Sequence, residues 1–210
     1  VARAAGIRIP TLCYMESLPP YGACRLCAVE VVSGGRPGIV ASCIYPVADS
    51  LVVRTNTPEV LDARRMVLQL LLARSPRPKR LRALADELGV KPNPRFALEE
   101  DDCILCGLCE RACLEIVGVG AISISRRGHL SKVDPPLGRP SAVCISCGTC
   151  TTVCPTGAVD LRKIDRTEML HGWKEDGEGR RCRICGQFHV AAGCGADYKS
   201  WFSGEGRERG

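Results

Sequence analysis

Cysteine is the residue whose number and spacing in this chain could do chemistry. Fifteen of the 210 residues are cysteine, and twelve of them fall into three sets of four. One set is spaced C-x10-C-x2-C-x15-C, and the other two share the spacing C-x2-C-x2-C-x3-C. Four thiolates are what a [2Fe–2S] or [4Fe–4S] centre requires. The spacing therefore predicts three iron–sulfur sites and a chain that transfers electrons.

The two C-x2-C-x2-C-x3-C motifs predict two [4Fe–4S] clusters that exchange a ligand. In two-cluster ferredoxins the fourth cysteine of such a run binds the other cluster. The expected sets are Cys103, Cys106, Cys109 and Cys154 for the first cluster, and Cys144, Cys147, Cys150 and Cys113 for the second. One departure is Leu114, where the simplest bacterial pattern has proline. Two zinc sites of four cysteines each are the alternative, and they explain the tight triplets poorly.

The last three cysteines form a separate motif. Cys182-x2-Cys185-x3-His189-x4-Cys194 resembles a zinc knuckle with one residue fewer in its middle gap. Four nitrogen and sulfur ligands at such spacing suit structural zinc, which we take as the predicted metal. The alternative is that these are plain thiols in a tail and that His189 lies on the surface. His129 and His171 have no motif around them, and we expect surface or structural roles for both.

Composition indicates a reducing compartment. No run of eighteen apolar residues exists, so we expect no membrane span. The first five residues lack the basic and apolar regions of a secretory signal. We therefore expect a cytoplasmic protein, in which thiols bind metal rather than pair as disulfides. A disulfide framework is the alternative, against which the odd cysteine count and the tight triplets argue.

Charge does not support nucleic-acid binding, and no catalytic residue is predicted. The formal charge is +6, but twelve coordinating thiolates add roughly −12 and three oxidised cluster cores roughly +6, so the loaded protein would be about neutral. The basic runs 77–80 and 180–183 have no aromatic interleaving. The acidic run 99–102 has no catalytic partner, and 118–123 is a broken G-x-G-x-x-G without a strand-to-helix context.

Small α+β elements are expected to position the cysteines. Residues 29–32 and 50–54 contain β-branched valines and predict strands, with a turn at 33–35. Thr57 as N-cap and Pro58 predict a helix from 58 to about 73. A second helix is expected over 81–88, ended by Gly89. The two later cysteine motifs form an internal repeat, each leading to a short strand, at 120–124 and 157–161, with 125–142 as an irregular excursion. The predicted domains are 1–57, a helical connector 58–92, 93–165, and a glycine- and charge-rich extension 166–210.

Around the first cysteine set the sequence closely resembles a known family. The segments are GIRIPTLCY at 6–14, GACRLCAVEV at 22–31, ASCIYPV at 41–47 and RRMVLQLLL at 64–72. They resemble the N-terminal [2Fe–2S] domain of the iron–sulfur subunit of NADH dehydrogenases, NAD-linked hydrogenases and related formate dehydrogenases. The resemblance covers roughly residues 5–165. It implies a [2Fe–2S] cluster on Cys13, Cys24, Cys27 and Cys43 in a small β-grasp-like domain, followed by a bacterial-type two-cluster ferredoxin domain.

Two departures from the family matter. Its [2Fe–2S] domain normally opens with a β-hairpin and a helix, whereas this chain begins at the end of that helix. We therefore expect the domain to be N-terminally incomplete here, with a start that is either truncated or mis-assigned. Many members also bind a further [4Fe–4S] cluster through one histidine and three cysteines just after the long helix. Residues 74–80 contain neither residue type, so we expect that cluster to be absent. This favours the subunit of a soluble complex over respiratory complex I.

The resemblance implies an electron-relay subunit. Its expected partners are a flavin- and NAD(P)-binding subunit and a redox subunit such as a hydrogenase or formate dehydrogenase. Clusters held by four thiolates leave no open position for substrate, so only single electrons would pass. A free-standing polyferredoxin is one alternative, against which the long helix and the C-terminal extension argue. A metal-binding regulatory or nucleic-acid module built on the tail is the other.

Overall fold

The computed structural model describes residues 1–96, 101–135, 143–145 and 147–159, and the backbone alone of 180–181 and 188–189. The chain divides into two compact units, Val1–Cys106 and Gly107–Gly210. Each unit mixes short helices and strands, as an α+β fold class predicts. Among the described residues, no helix is both long enough and apolar enough to cross a bilayer.

A three-stranded antiparallel sheet forms the first half of the first unit. Its strands are β1 (Ala28–Ser33), β2 (Gly38–Ala41) and β3 (Val52–Arg54), in the order β2-β1-β3. The central strand buries Val29 and Val31. The predictions of β1 and β3 are confirmed. Strand β2 was not predicted, because four residues after a proline carry little β-signal without the partner strand that stabilises them.

Two helices follow the sheet. Helix α1 spans Pro58–Arg74, and its first turn is capped by Thr57, whose hydroxyl accepts a hydrogen bond from the Val60 N–H at 3.4 Å. Helix α2 spans Lys79–Leu88 and ends at Gly89 with φ +65°, the left-handed conformation that glycine adopts without steric cost. Both predicted helices are confirmed. Helix α1 packs against β1 and α2, and a 3₁₀ turn follows at Pro94–Phe96.

The described part of the second unit consists of short helical segments and pairs of antiparallel strands. Helix α3 (Leu108–Arg111) continues into a π-helical turn at Ala112–Val117, and helix α4 spans Thr149–Thr152. Strands β4 (Ser123–Ser125) and β5 (Lys132–Asp134) pair antiparallel around a 3₁₀ turn at Gly128–Leu130.

Two expectations for the second unit need correction. The strand expected at 120–124 is present as β4, but the segment after it is not wholly irregular, because β5 pairs back onto β4. Residues 157–159 form no strand, and the rest of the second predicted strand lies outside the described residues. Two short strands, β6 (Arg180–Arg181) and β7 (Phe188–His189), pair antiparallel near the end of the chain.

Candidate metal centres

The β1–β2 pairing positions half of the first cysteine set. Ala28 pairs with Ala41, so Cys27, just before β1, and Cys43, just after β2, lie at the same end of the hairpin. Cys13 and Cys24 come from the loops that precede β1. Cys13, Cys24 and Cys27 are buried, and Cys43 is half-buried. The structure therefore encloses the sulfurs of this set, as a site that excludes water requires.

The four sulfurs of this set influence one another directly. The Cys24 N–H donates to Cys13 Sγ at 3.3 Å. A hydrogen bond between their side chains raises the pKa of Cys13 and lowers the pKa of Cys24 to about 5. Burial, together with a hydrogen bond to Cys27, raises the pKa of Cys43 to about 11. Four thiols this close cannot all ionise without a cationic partner, because each thiolate repels the next.

The loop between Cys24 and Cys27 is wound tightly. Arg25 has φ +57°, a left-handed conformation that costs a non-glycine residue about 1–2 kcal/mol. The turn lets the Leu26 N–H donate a hydrogen bond to the Cys24 sulfur, which contributes to that thiol's low pKa. Strain of this kind persists where the surrounding structure demands it, which is typical of binding sites. The donor set fits a [2Fe–2S] group: four sulfurs in one enclosure, with backbone N–H groups directed at sulfur.

Arg64 is the residue of this site that sequence reasoning missed. It lies on the buried face of α1, is only 5% exposed, and donates from Nη2 to the Ala28 carbonyl oxygen at 2.6 Å. The negative charge of Cys27 acts on its guanidinium. An arginine four residues after Val60 and four before Leu68, on an otherwise apolar helix row, is the sequence signal that could have identified it.

A second sulfur enclosure lies within the second unit. It contains the four cysteines predicted for the second [4Fe–4S] cluster: Cys113, Cys144, Cys147 and Cys150. Burial raises the pKa of Cys150 to about 12, and the negative charges of the other three add to this shift. Burial also raises the pKa of Cys147. The structure thus brings Cys113, from the first motif, to the triplet of the second, although its role as a ligand stays a prediction.

Local contacts hold the members of this enclosure in place. The Ala121 N–H donates to Cys113 Sγ at 3.2 Å, and Cys147 Sγ lies 3.2 Å from Thr149 Oγ1. Val117, Ile145 and Cys147 pack together in a small apolar cluster. Here too the donor set fits the predicted group, because Cys147 lies in the apolar cluster and polar groups of the chain contact the sulfurs of Cys113 and Cys147.

The first triplet begins in the first unit, where α1 anchors it. Arg74 Nε donates to the Cys103 carbonyl oxygen at 2.8 Å, and its Nη2 pairs with Asp101 at 3.3 Å. The Asp101 N–H donates in return to the Arg74 carbonyl oxygen at 2.9 Å, and Asp101 Oδ1 accepts from the Cys103 N–H at 3.0 Å. Part of the acidic run before the triplet is therefore an anchor for the loop that begins at Cys103.

Two further members of the first predicted ligand set, Cys109 and Cys154, lie in the second unit. Cys109 is buried on α3, and Cys154 Sγ lies 3.6 Å from Thr156 Oγ1. The ligand set of the first [4Fe–4S] cluster, including Cys106, stays a prediction from the spacing.

The internal repeat is visible in the backbone. Gly107 and Gly148 adopt the same left-handed conformation, with φ of +73° and +74°, directly before α3 and α4. Each helix then carries the third cysteine of its triplet, Cys109 or Cys150. A residue with a Cβ is strained at such φ values, so glycine permits this turn at the same place in both motifs.

The predicted zinc motif falls almost wholly outside the described residues. This applies to Cys182, Cys185 and Cys194, while only the backbone of His189, on β7, is described. His171 also lies outside them, whereas His129 is exposed in the 3₁₀ turn. Within the described ranges, no three Cys, His, Asp or Glu side chains are arranged around a single metal ion. No disulfide joins any of the twelve described cysteines.

Comparison with known proteins agrees with this geometry. Residues 1–58 match a family described as a 2Fe-2S iron-sulfur cluster binding domain, and residues 102–158 match a 4Fe-4S dicluster domain. A crystal structure of an NAD+-reducing [NiFe]-hydrogenase in the H2-reduced state matches with a TM-score of 0.61 and 32% identity, over 75% of this chain and 76% of that chain. The chain belongs to the iron–sulfur subunit family of NADH dehydrogenases and NAD(P)-linked hydrogenases.

Curated relatives within this iron–sulfur subunit family are much longer. NADP-reducing hydrogenase subunit HndD of Solidesulfovibrio fructosivorans is 35% identical, in a match that covers 75% of this chain and 32% of the relative. NADPH-Fe(3+) oxidoreductase subunit alpha of Geobacter sulfurreducens is 32% identical, in a match that covers 95% of this chain and 25% of the relative. The chain thus spans about a quarter to a third of the length of these two relatives.

Proposed function

We propose that the chain relays single electrons between a flavin- and NAD(P)-binding subunit and a partner redox subunit in a soluble, cytoplasmic complex. Hydrogenase and formate dehydrogenase subunits are the partner classes implied by the family resemblance. The observation that carries the proposal is the sequestration of cysteine sulfur in two separate enclosures, one in each unit. All the sulfurs of both sets are used as ligands in this arrangement, so substrate would have no position at which to bind.

The proposed cofactors are one [2Fe–2S] and two [4Fe–4S] clusters. Each such group takes up and returns one electron without a change in its ligands. The chain's own residues contribute in three ways. Burial of Cys13, Cys24 and Cys27 excludes water, the Ala121 N–H donated to Cys113 stabilises that thiolate, and the fixed helices keep the ligand loops still, so little reorganisation accompanies transfer.

The finer architecture is part of the same proposal. The antiparallel sheet and α1 are consistent with a β-grasp-like [2Fe–2S] domain, and the duplicated glycine turns support a bacterial-type two-cluster domain. The electrostatic effect of Cys113 on Cys147 and Cys150 supports the exchange of ligands between the two motifs, in which Cys154 would complete the first cluster. The domain limits 1–57, 58–92, 93–165 and 166–210 are retained as predictions.

Metal content and spectroscopy test the cofactor assignment. Protein purified anaerobically should hold about ten iron atoms, with reduced spectra of one two-iron and two four-iron centres. Cys43→Ser should remove the [2Fe–2S] signal and leave both [4Fe–4S] signals, whereas Cys113→Ser should perturb one [4Fe–4S] signal only. Zinc alone, or about four irons, would contradict the assignment.

Isolation of the native complex tests the relay role. We expect the chain to migrate with a flavin-containing subunit on size exclusion of an anaerobic extract, and dithionite-reduced chain to pass electrons to that subunit. Migration as a monomer would instead identify a diffusing ferredoxin. The same preparation should show no salt-dependent binding to DNA or RNA.

Zinc in the C-terminal extension remains a separate proposal, on Cys182, Cys185, His189 and Cys194. The antiparallel pairing of β6 with β7 supports it, because Cys182 and Cys185 lie in the six residues between the two strands. One zinc per chain should be lost in Cys185→Ser, with the iron content unchanged. Equal zinc content in that variant and the wild type would refute this site.

A further inference from the structure

Arg64 occupies a position where a charge is costly. It lies in the middle of α1, in a row with Val60, Leu68 and Leu72, and all four residues are buried. Its own exposure is 5%. Removing a guanidinium from water costs several kcal/mol unless a negative group and hydrogen bonds compensate. The residue therefore needs a partner that accounts for its burial.

The described residues supply only part of that compensation. Nη2 donates to the Ala28 carbonyl oxygen at 2.6 Å, but no acceptor in the described part of the chain lies within hydrogen-bonding distance of Nε. None of the ion pairs among those residues involves Arg64. Burial lowers the pKa of Arg64, and the charge that opposes this shift is that of Cys27. The anion facing this guanidinium is a cysteine of the proposed [2Fe–2S] site.

The charge of that site depends on its redox state. Four thiolates and an oxidised two-iron core carry roughly −2 in total, and one-electron reduction makes this roughly −3. A fixed positive charge attracts the reduced form more strongly than the oxidised form. The difference is large in a buried site, because Coulomb attraction grows as the effective dielectric constant falls.

We propose that Arg64 is a positioning residue of the [2Fe–2S] site, which holds the Ala28–Val29 peptide, next to Cys27, in place and raises the reduction potential of the cluster through its buried charge. The inference rests on the proposed [2Fe–2S] assignment and deepens it. Arg64 acts through the strand end that carries Cys27.

Redox titration of the full chain, purified anaerobically and followed by the EPR signal of the reduced [2Fe–2S] cluster, tests the inference. Arg64→Gln keeps a polar amide in the side chain but removes the charge. At the wild-type midpoint potential, we expect its ratio of reduced to oxidised cluster to be at least about tenfold lower, a shift of about 59 mV for one electron.

Arg65→Gln is the matched control, because it removes the same charge from the same helix. The Arg65 side chain is 45% exposed and pairs with Asp62 at 2.8 Å on the solvent side. Solvent screens such a charge, so the ratio of reduced to oxidised cluster in Arg65→Gln should change by less than about twofold. An equal change in Arg64→Gln and Arg65→Gln would mean that the potential responds only to the net charge of the protein, and this would overturn the inference.

Arg64→Lys distinguishes the charge of the side chain from its shape. It keeps the positive charge, so its ratio of reduced to oxidised cluster should stay within about threefold of wild type. This variant can still contradict the inference if Arg64→Gln fails to hold the cluster. A loaded Arg64→Lys protein shifted tenfold or more, or an Arg64→Gln protein with the wild-type ratio, would overturn the inference. A wild-type chain without any [2Fe–2S] signal would instead refute the proposed cofactor.

Discussion

Replacing Arg74 with glutamine should loosen the loop that begins the first cysteine triplet. Arg74 is the last residue of α1, and its side chain is only 14% exposed where it pairs with Asp101. It donates to the Cys103 carbonyl oxygen at 2.8 Å and to Asp101 at 3.3 Å. Glutamine can replace one neutral hydrogen bond but not the charge. The loop would then be tied to α1 chiefly through the Asp101 N–H and the Arg74 carbonyl oxygen.

The two contacts of Arg74 give the free energy by which the substitution should weaken attachment of the loop to α1. A hydrogen bond from a charged donor contributes about 1.5–3 kcal/mol, against about 1 kcal/mol for a neutral one. The ion pair adds at most about 1 kcal/mol, because Asp101 is 43% exposed. The net loss is therefore about 2 kcal/mol. Since each 1.4 kcal/mol is a factor of ten, the open form of the loop should become about 30-fold more populated.

Iron release to an anaerobic chelator measures this opening. We expect one [4Fe–4S] cluster of Arg74→Gln to release iron about 30-fold faster than wild type, while the [2Fe–2S] cluster keeps its rate, with Mössbauer spectra identifying the cluster that is lost. Arg77→Gln is the control, because its pair with Asp102 at 3.0 Å involves a side chain that is 58% exposed. That variant should change the rate less than about fivefold. Wild-type release from Arg74→Gln, or equal acceleration in both variants, would refute the anchor.

Three further predictions concern the scaffold. Leu68→Ala, in the buried row of α1, should lower the free energy of unfolding by about 2–5 kcal/mol, as measured by denaturant titration. Leu70→Ala, on the same helix but 50% exposed, should lower it by less than about 1 kcal/mol. Gly34→Ala should lower the melting temperature more than Gly89→Ala, because both glycines have positive φ but only at Gly34 would the Cβ overlap the Ser50 backbone. Iron-free protein should lose stability as pH rises from about 9 towards 12, because folding raises the pKa of Cys43 to about 11 and of Cys150 to about 12, whereas the unfolded chain ionises these thiols at lower pH. Cluster-loaded protein, whose thiolates are already ionised, should show no such loss. A free energy of unfolding of the iron-free protein that does not change over this pH range would contradict the raised pKa values.

Sequence was sufficient wherever the signal is local. The cysteine sets are readable because a cluster needs several thiolates from one short loop, and α1 is readable because Thr57 and Pro58 mark its start within the helix itself. Recognition of the family from the same segments is confirmed by the matches to both cluster-binding families and to a hydrogenase structure.

The features that sequence missed depend on distant partners. Strands β2 and β5 have few residues of β-propensity and exist because β1 and β4 supply the hydrogen bonds. Arg74 looks like an ordinary charge at a helix end until the Cys103 loop is placed against α1. The apolar row of α1 indicates that Arg64 is buried, but its contact with the Ala28 carbonyl oxygen depends on the packed sheet. Pairing of this kind arises from packing over long sequence separations, which no local pattern records.

The number of residues in helix α1 fixes the distance between the two segments that Arg64 and Arg74 contact. Arg64 touches the strand end beside Cys27 and Arg74 touches the carbonyl of Cys103, so the helix joins both ligand segments within the first unit. The two arginines are ten positions apart, which is about 15 Å of helix rise. Deleting one residue between them would turn one arginine by about 100° relative to the other and detach one of the two segments. Because each helical residue adds about 1.5 Å, the number of residues between the two arginines would set the spacing of the proposed clusters in whole-residue steps.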